Sequence, residues 1–220
     1  MTFSILAQDL GSGAFGGAAA TGALCVGGWV LRGDSRAGMS ASQGAAPSTM
    51  WGEDALEGMR QGRSASATVT GLIGADRGRD WRQLAVLDRV GGTACHTGAQ
   101  NTDWKGALTG PGLVVSGNML TGPHVLEALH DAYLAASGTL AQRLLVALDA
   151  AEAAGGDTRG LQSAALLVVS DDTPPLSLRI DWAENPIRAL HDLHARSQSG
   201  DYAAWLHTVP TRGDPQRGHD

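Results

Sequence analysis

Thr2 stands directly behind Met1, and it is small enough for the methionine to be trimmed. A threonine at a free amino terminus carries a hydroxyl nucleophile and an amine of pKa about 7.7–8.0, so one residue supplies both nucleophile and base. Such a residue needs partners. Asn118 can offer its amide to a developing oxyanion, and in "GGDTRG" (155–160) Asp157 can hold the amine while Arg159 forks onto a substrate carboxylate. Ser4 lies on the same face of an extended chain as Thr2, and Gln43, His96 and Trp104 are candidates to line the pocket. Each of these residues also has a structural reading. Thr2 suits a strand, Asn118 suits a turn or cap before a helix, Asp157 and Arg159 can pair with each other, and a lone histidine is usually a satisfied structural one.

Other patterns carry less. "GSGAFG" (11–16) has the glycine spacing of a dinucleotide loop, with Asp34 at a ribose-binding distance, but the glycine-rich run after it does not propagate the helix that loop requires. His191 and His194 share a helix face without a third ligand, and Cys25 and Cys95 lack metal-type spacing. No metal and no cofactor are expected. No serine sits in a G-x-S-x-G elbow, which removes the α/β-hydrolase reading.

Positioning these residues falls to the elements around them. Alternation predicts strands over 2–8, 14–20 and 37–43, the first two joined by a turn through "DLGSG". Two helices follow, in "PSTMWGEDALEGMRQG" (47–62) and "SASATVTGLIGAD" (64–76), the second weakened by Gly71 and Gly74. Strands are predicted in "WRQLAVLD", "GTACHTG" and "GLVVSGN", then two strongly patterned helices over 122–138 and 139–156. A strand pair, "LQSAALLVVS" and "LSLRIDWA", a helix over 186–199 and a short one over 201–208 complete the domain, ahead of a polar tail at 209–220. Strands arriving in runs argue for an α+β fold: two stacked, largely antiparallel sheets flanked by helices, an αββα sandwich in one domain over 1–208. The absence of charge before Asp9 predicts an inner position for the first strand.

Composition narrows the partners. A net charge of −6 without a basic cluster argues against nucleic acid, and no apolar run approaches the roughly 18 residues of a membrane span. Two cysteines suit a reducing cytosol, and no charged and apolar leader precedes the first strand. The expected protein is cytoplasmic, homo-oligomeric, and acts on a small-molecule substrate without nucleic acid or membrane.

The stretches "TFSILAQD", "HTGAQNTDW", "SGNMLTGPHVLEAL" and "AGGDTRGLQSAALLVV" together resemble the bacterial family known as domain of unknown function 1028, in order from Thr2 to about Leu193. That resemblance implies the N-terminal-nucleophile (Ntn) hydrolase-like superfamily and its αββα sandwich. Two places depart from the family's pattern: Leu161 stands where a basic residue usually follows the glycine, and Trp104, Lys105, Gly106 and Ala107 stand where "WAGH" is usual. The expected activity is hydrolysis of a small amide or cyclic amide by Thr2, with Asn118 at the oxyanion and Asp157 and Arg159 positioning substrate. The alternative is a non-catalytic ligand-binding or structural protein on the same fold.

Overall fold

Phe3, Ile5 and Ala7 point to one side of an extended segment and Ser4 and Leu6 to the other, and all five are buried, which places this segment inside the protein. The computed structural model describes residues 2–218. In chain order the elements are β1 (Thr2–Gln8), β2 (Phe15–Thr21), α1 (Val26–Trp29), β3 (Leu31–Asp34), β4 (Gly38–Gly44), α2 (Thr49–Arg60), α3 (Ala65–Ala75), a 3-10 turn (Arg79–Trp81), β5 (Arg82–Asp88), β6 (Thr93–Thr97), β7 (Gly106–Gly110), β8 (Leu113–Asn118), α4 (His124–Ala135), α5 (Leu140–Ala153), β9 (Ser163–Val169), β10 (Leu176–Ile180), α6 (Pro186–Ser197) and α7 (Gly200–Leu206). Six strands form one sheet in the order β10-β9-β2-β1-β8-β7, and four form another in the order β3-β4-β5-β6. Every neighbouring pair is antiparallel. β1 lies between β2 and β8, the inner position its lack of charge predicts.

Three apolar layers hold the elements together. Phe3, Ile5 and Ala7 pack with Leu126, Leu129, Leu144 and Leu148 of α4 and α5, and Ile187 and Leu190 of α6 join them. Leu6 turns the other way and meets Met39, Leu87 and Val114, so the two sheets face one another. On the far side of the four-stranded sheet, Leu84 and Val86 pack against Trp51, Ala55 and Met59 of α2 and Val69 of α3. No helix among the described residues is long and apolar enough to cross a membrane.

Local chemistry explains the helix starts. Ser48 Oγ accepts from the Trp51 amide at 3.3 Å, Ser64 Oγ from Ala67 at 3.2 Å, and Thr139 with Gln142 forms a reciprocal capping box on α5. α3 forms despite Gly71 and Gly74, which face open space.

Besides the 3-10 turn, three elements go beyond the predicted ones: α1, β3 and β7. All three lie in glycine-containing stretches without a clear apolar period, and tertiary approach makes them regular. A Cβ on Gly27 of α1 would lie 2.6 Å from Arg179 Cγ and 2.8 Å from Ala165 Cβ, and one on Gly33 of β3 would lie 2.5 Å from Met39 Sδ. β7 forms a hairpin with β8 through Pro111 and Gly112. The segment beyond α7 is polar but not detached. Thr211 is buried, Gly213 donates its amide to Asp171 O, and Arg212 pairs with Asp34.

Candidate active site

At the start of β1 the layer between the sheets changes character. Thr2, Ser4, Ser116 and Asn118 come from the six-stranded sheet, Gln43 and Gln83 from the four-stranded one, and all six are buried. Gln83 organises them. Its Nε2 donates to the carbonyls of Gly117 at 2.8 Å and Gly106 at 3.1 Å and reaches Thr97 Oγ1 at 2.9 Å. Two carbonyl acceptors fix which end of the amide is nitrogen, so Gln83 Oε1 must face the other way. There it accepts from Gln43 Nε2 at 2.8 Å and Asn118 Nδ2 at 2.9 Å. Gln43 Nε2 also reaches Ser116 Oγ at 3.3 Å, and Ser116 Oγ shares a 3.1 Å hydrogen bond with Ser4 Oγ. Gln43 Oε1 is thereby turned away from these donors, and it has no hydrogen-bond partner among the described residues.

Thr2 stands opposite Asn118 in the β1–β8 ladder, and its hydroxyl donates to Thr21 Oγ1 at 3.2 Å. Together with Thr21 and Gln43 it lines a cleft of about 460 Å³ whose other walls are largely apolar, from Leu24, Val26, Trp29 and Pro47. That is ample for a small molecule. Neither cysteine competes as nucleophile in this cleft, and burial pushes the Cys95 thiol up.

A model of the Family of unknown function (DUF1028) matches residues 2–190. The chain belongs to that family. It is also similar over its whole length to the crystal structure of a DUF1028 protein from Silicibacter pomeroyi, at 52% identity, covering 100% of this chain and 99% of the other with a TM-score of 0.95. No curated protein matches the chain.

The motifs that carried the family resemblance have visible structural work. In "GGDTRG" the Asp157 carboxylate is buried and accepts from the Gly22 amide at 2.5 Å and the Arg159 amide at 2.8 Å. Gly22 has to be glycine, because a Cβ there would lie 2.6 Å from Asp157 Oδ2 and 2.5 Å from Gly160 O. Asp157 therefore clamps the chain next to Thr21, the partner of Thr2. Arg159 folds back onto the same carboxylate through Nε at 3.3 Å and Nη2 at 3.2 Å. Neither residue lines the cleft. In "HTGAQNTDW" the working residue is Asn101, which donates to Arg82 O and Gly98 O and accepts from the Ala45 amide at 2.8 Å, holding one cleft wall in place.

The remaining candidates in this DUF1028 chain lie elsewhere. His96 pairs with Leu84 across β5–β6, on the helix-facing side of its sheet, where its Nε2 lies 2.9 Å from Arg79 O and its ring lies 5.9 Å from that of Trp51. Trp104 packs against the α4–α5 layer and covers Gly106, on the helix-facing side of the other sheet. Asn118 caps no helix: α4 starts at His124, with Pro123 at the N-cap position and no side-chain cap. Gln83, Thr21 and Asn101 complete the site without having been singled out. The signal for Gln83 was a lone polar residue inside the strand "RQLAVLD", where a buried glutamine must find partners for both ends of its amide.

Proposed function

We propose that this protein is an N-terminal-nucleophile amidohydrolase on an αββα sandwich of the Ntn type, acting on a small amide or cyclic amide. The observation that carries the reading is Thr2 at the first position of an inner strand, its hydroxyl beside a cleft of about 460 Å³. After removal of Met1 the hydroxyl attacks the substrate carbonyl carbon while the α-amine takes its proton. The amine then passes that proton to the leaving nitrogen, and water hydrolyses the resulting ester. Gln43, whose Oε1 is buried without a partner among the described residues, lines the same cleft as Thr2. Asn118, which faces Thr2 in the ladder and gives one amide hydrogen to Gln83, offers the other to the oxyanion. Asp157 serves by holding the Gly22 backbone beside Thr21.

The test is a panel of small amides, imides and lactams with protein whose intact mass shows Met1 removed. Thr2→Ala should abolish turnover with little change in Tm, and Thr2→Ser should retain measurable activity. Protein that keeps Met1 should lose about 10²–10⁴-fold in rate, the usual contribution of a general base. Full activity with Met1 attached would sink the mechanism.

A further inference from the structure

We infer that the cleft at Thr2 selects an uncharged amide whose acyl side carries an apolar group, and rejects amides that carry a carboxylate; the inference rests on the cleft being the substrate site of the proposed hydrolase. No side chain lining it is charged, and its one titratable group is the α-amine of the trimmed Thr2, which acts as base in its neutral form. Its polar side chains are those of Thr2, Thr21 and Gln43, and the hydroxyls of Thr2 and Thr21 are hydrogen-bonded to each other where the scissile bond has to sit. Its apolar lining includes Leu24, Val26 and Trp29, with Leu24 and Trp29 still 53% and 52% exposed, so their apolar surface is open to a ligand entering the cleft.

The guanidinium groups that would recognise a carboxylate are committed elsewhere. Arg159 gives Nε and Nη2 to Asp157, and Arg179, which lies over Gly27 and Gly28 of α1, gives the same two groups to Asp181. With the Thr2 amine in the neutral form that acts as base, a substrate carboxylate in the cleft would lose water and meet no cation, and one that paired with the protonated amine would hold the base in its inactive form. An aryl or branched aliphatic group would instead bury apolar surface against Trp29 and Leu24.

Two probes of nearly equal shape separate the cases: N-benzoylglycinamide is uncharged and N-benzoylglycine carries a carboxylate, while N-acetylglycinamide keeps the amides and lacks the ring. Binding to the full chain with Met1 removed is measured by calorimetry at about pH 9.5, where the terminal amine is neutral, and in the Thr2→Ala background where turnover would interfere. N-benzoylglycinamide should bind at least about tenfold more tightly than either of the others, and Trp29→Ala should bring it close to N-acetylglycinamide. Tighter binding of N-benzoylglycine, lost in Arg159→Met, would overturn the inference, as would the absence of measurable binding by all three. The outcomes also separate this inference from the hydrolase reading. Selective binding without hydrolysis of any amide would leave the selectivity standing and remove the nucleophile, whereas hydrolysis of N-benzoylglycine in preference to its amide would do the reverse.

Discussion

The two ends of the layer between the sheets are built from the same strands with opposite chemistry. Toward the far end of β1, Leu6 meets Met39, Leu87 and Val114, all fully buried and apolar. Toward its start, Ser4, Ser116, Asn118, Gln43 and Gln83 fill the same gap with amides and hydroxyls that bond from one sheet to the other. Apolar packing is non-directional and tolerates adjustment, whereas a buried amide network holds only if each member finds its partner. One end supplies cohesion. The other keeps polar groups in a fixed arrangement beside a cleft, at the cost of groups that can be left unsatisfied, as Gln43 Oε1 is.

The largest stability effect is expected at the apolar end. Leu6→Ala should cost about 2–5 kcal/mol, because the layer around it cannot fully collapse into the space. Urea unfolding at neutral pH measures this, and a loss below about 1 kcal/mol would mean the sheets are not held together there. Gln83→Leu should cost less, about 1–3 kcal/mol, the usual penalty for stranded buried polar groups. It removes the acceptor of Gln43 and Asn118 and the donor to Gly106 and Gly117. Gln43→Met sharpens the contrast. It deletes two hydrogen bonds but also the unpartnered oxygen, so its stability should stay within about 1 kcal/mol of wild type. Equal losses for the two glutamines would contradict the central role given to Gln83.

The apolar end was far more legible in the sequence than the polar one. Alternation in "TFSILAQ" marks a strand with two faces, and the leucine stripe of α5 marks the helix that covers it. Glycine obscured α1, β3 and β7, though the strand over 14–20 was legible. β2 reads "FGGAAAT", and close approach on both faces accounts for its glycines: a Cβ on Gly16 would lie 2.7 Å from Leu144 Cδ1 of α5, and one on Gly17 would lie 2.9 Å from Leu6 Cδ2 in the layer between the sheets. Thr2, Gln43 and Asn118 could be nominated by type, and they do meet around one end of the sheets. The position of His96 and Trp104 on helix-facing surfaces could not be read, because it depends on strand register in β6 and on how the chain enters β7. Asp157 was nominated for the chemistry of a carboxylate, while its buried contacts are to the backbone of Gly22 and to Arg159, 135 residues and two residues away along the chain.

The smallest effect is electrostatic and sits beside the apolar end. Asp34 ends β3 next to Gly33, which lies against Met39, and its carboxylate receives Arg60 at 2.7 Å and Arg212 of the C-terminal segment at 3.5 Å. Burial alone would raise its pKa, but the Arg36 amide, Arg60 and Arg212 outweigh it and hold it below the usual value of 3.8. A folded-state pKa below the unfolded one means that the contribution is complete above the unfolded value and disappears as pH falls through the folded one. Asp34→Asn should therefore cost less than about 1 kcal/mol at neutral pH, since the arginines are partly exposed and screened by solvent. The gap between wild type and variant should close on acidification from about pH 5 to below the folded pKa. Urea unfolding of both proteins across that range measures the convergence, and a gap that stays constant or widens toward acid would show that Asp34 does not act through its charge. Added salt should narrow the gap at neutral pH in the same direction, while leaving the cost of Leu6→Ala untouched, because screening acts on the exposed arginines and not on the layer behind them.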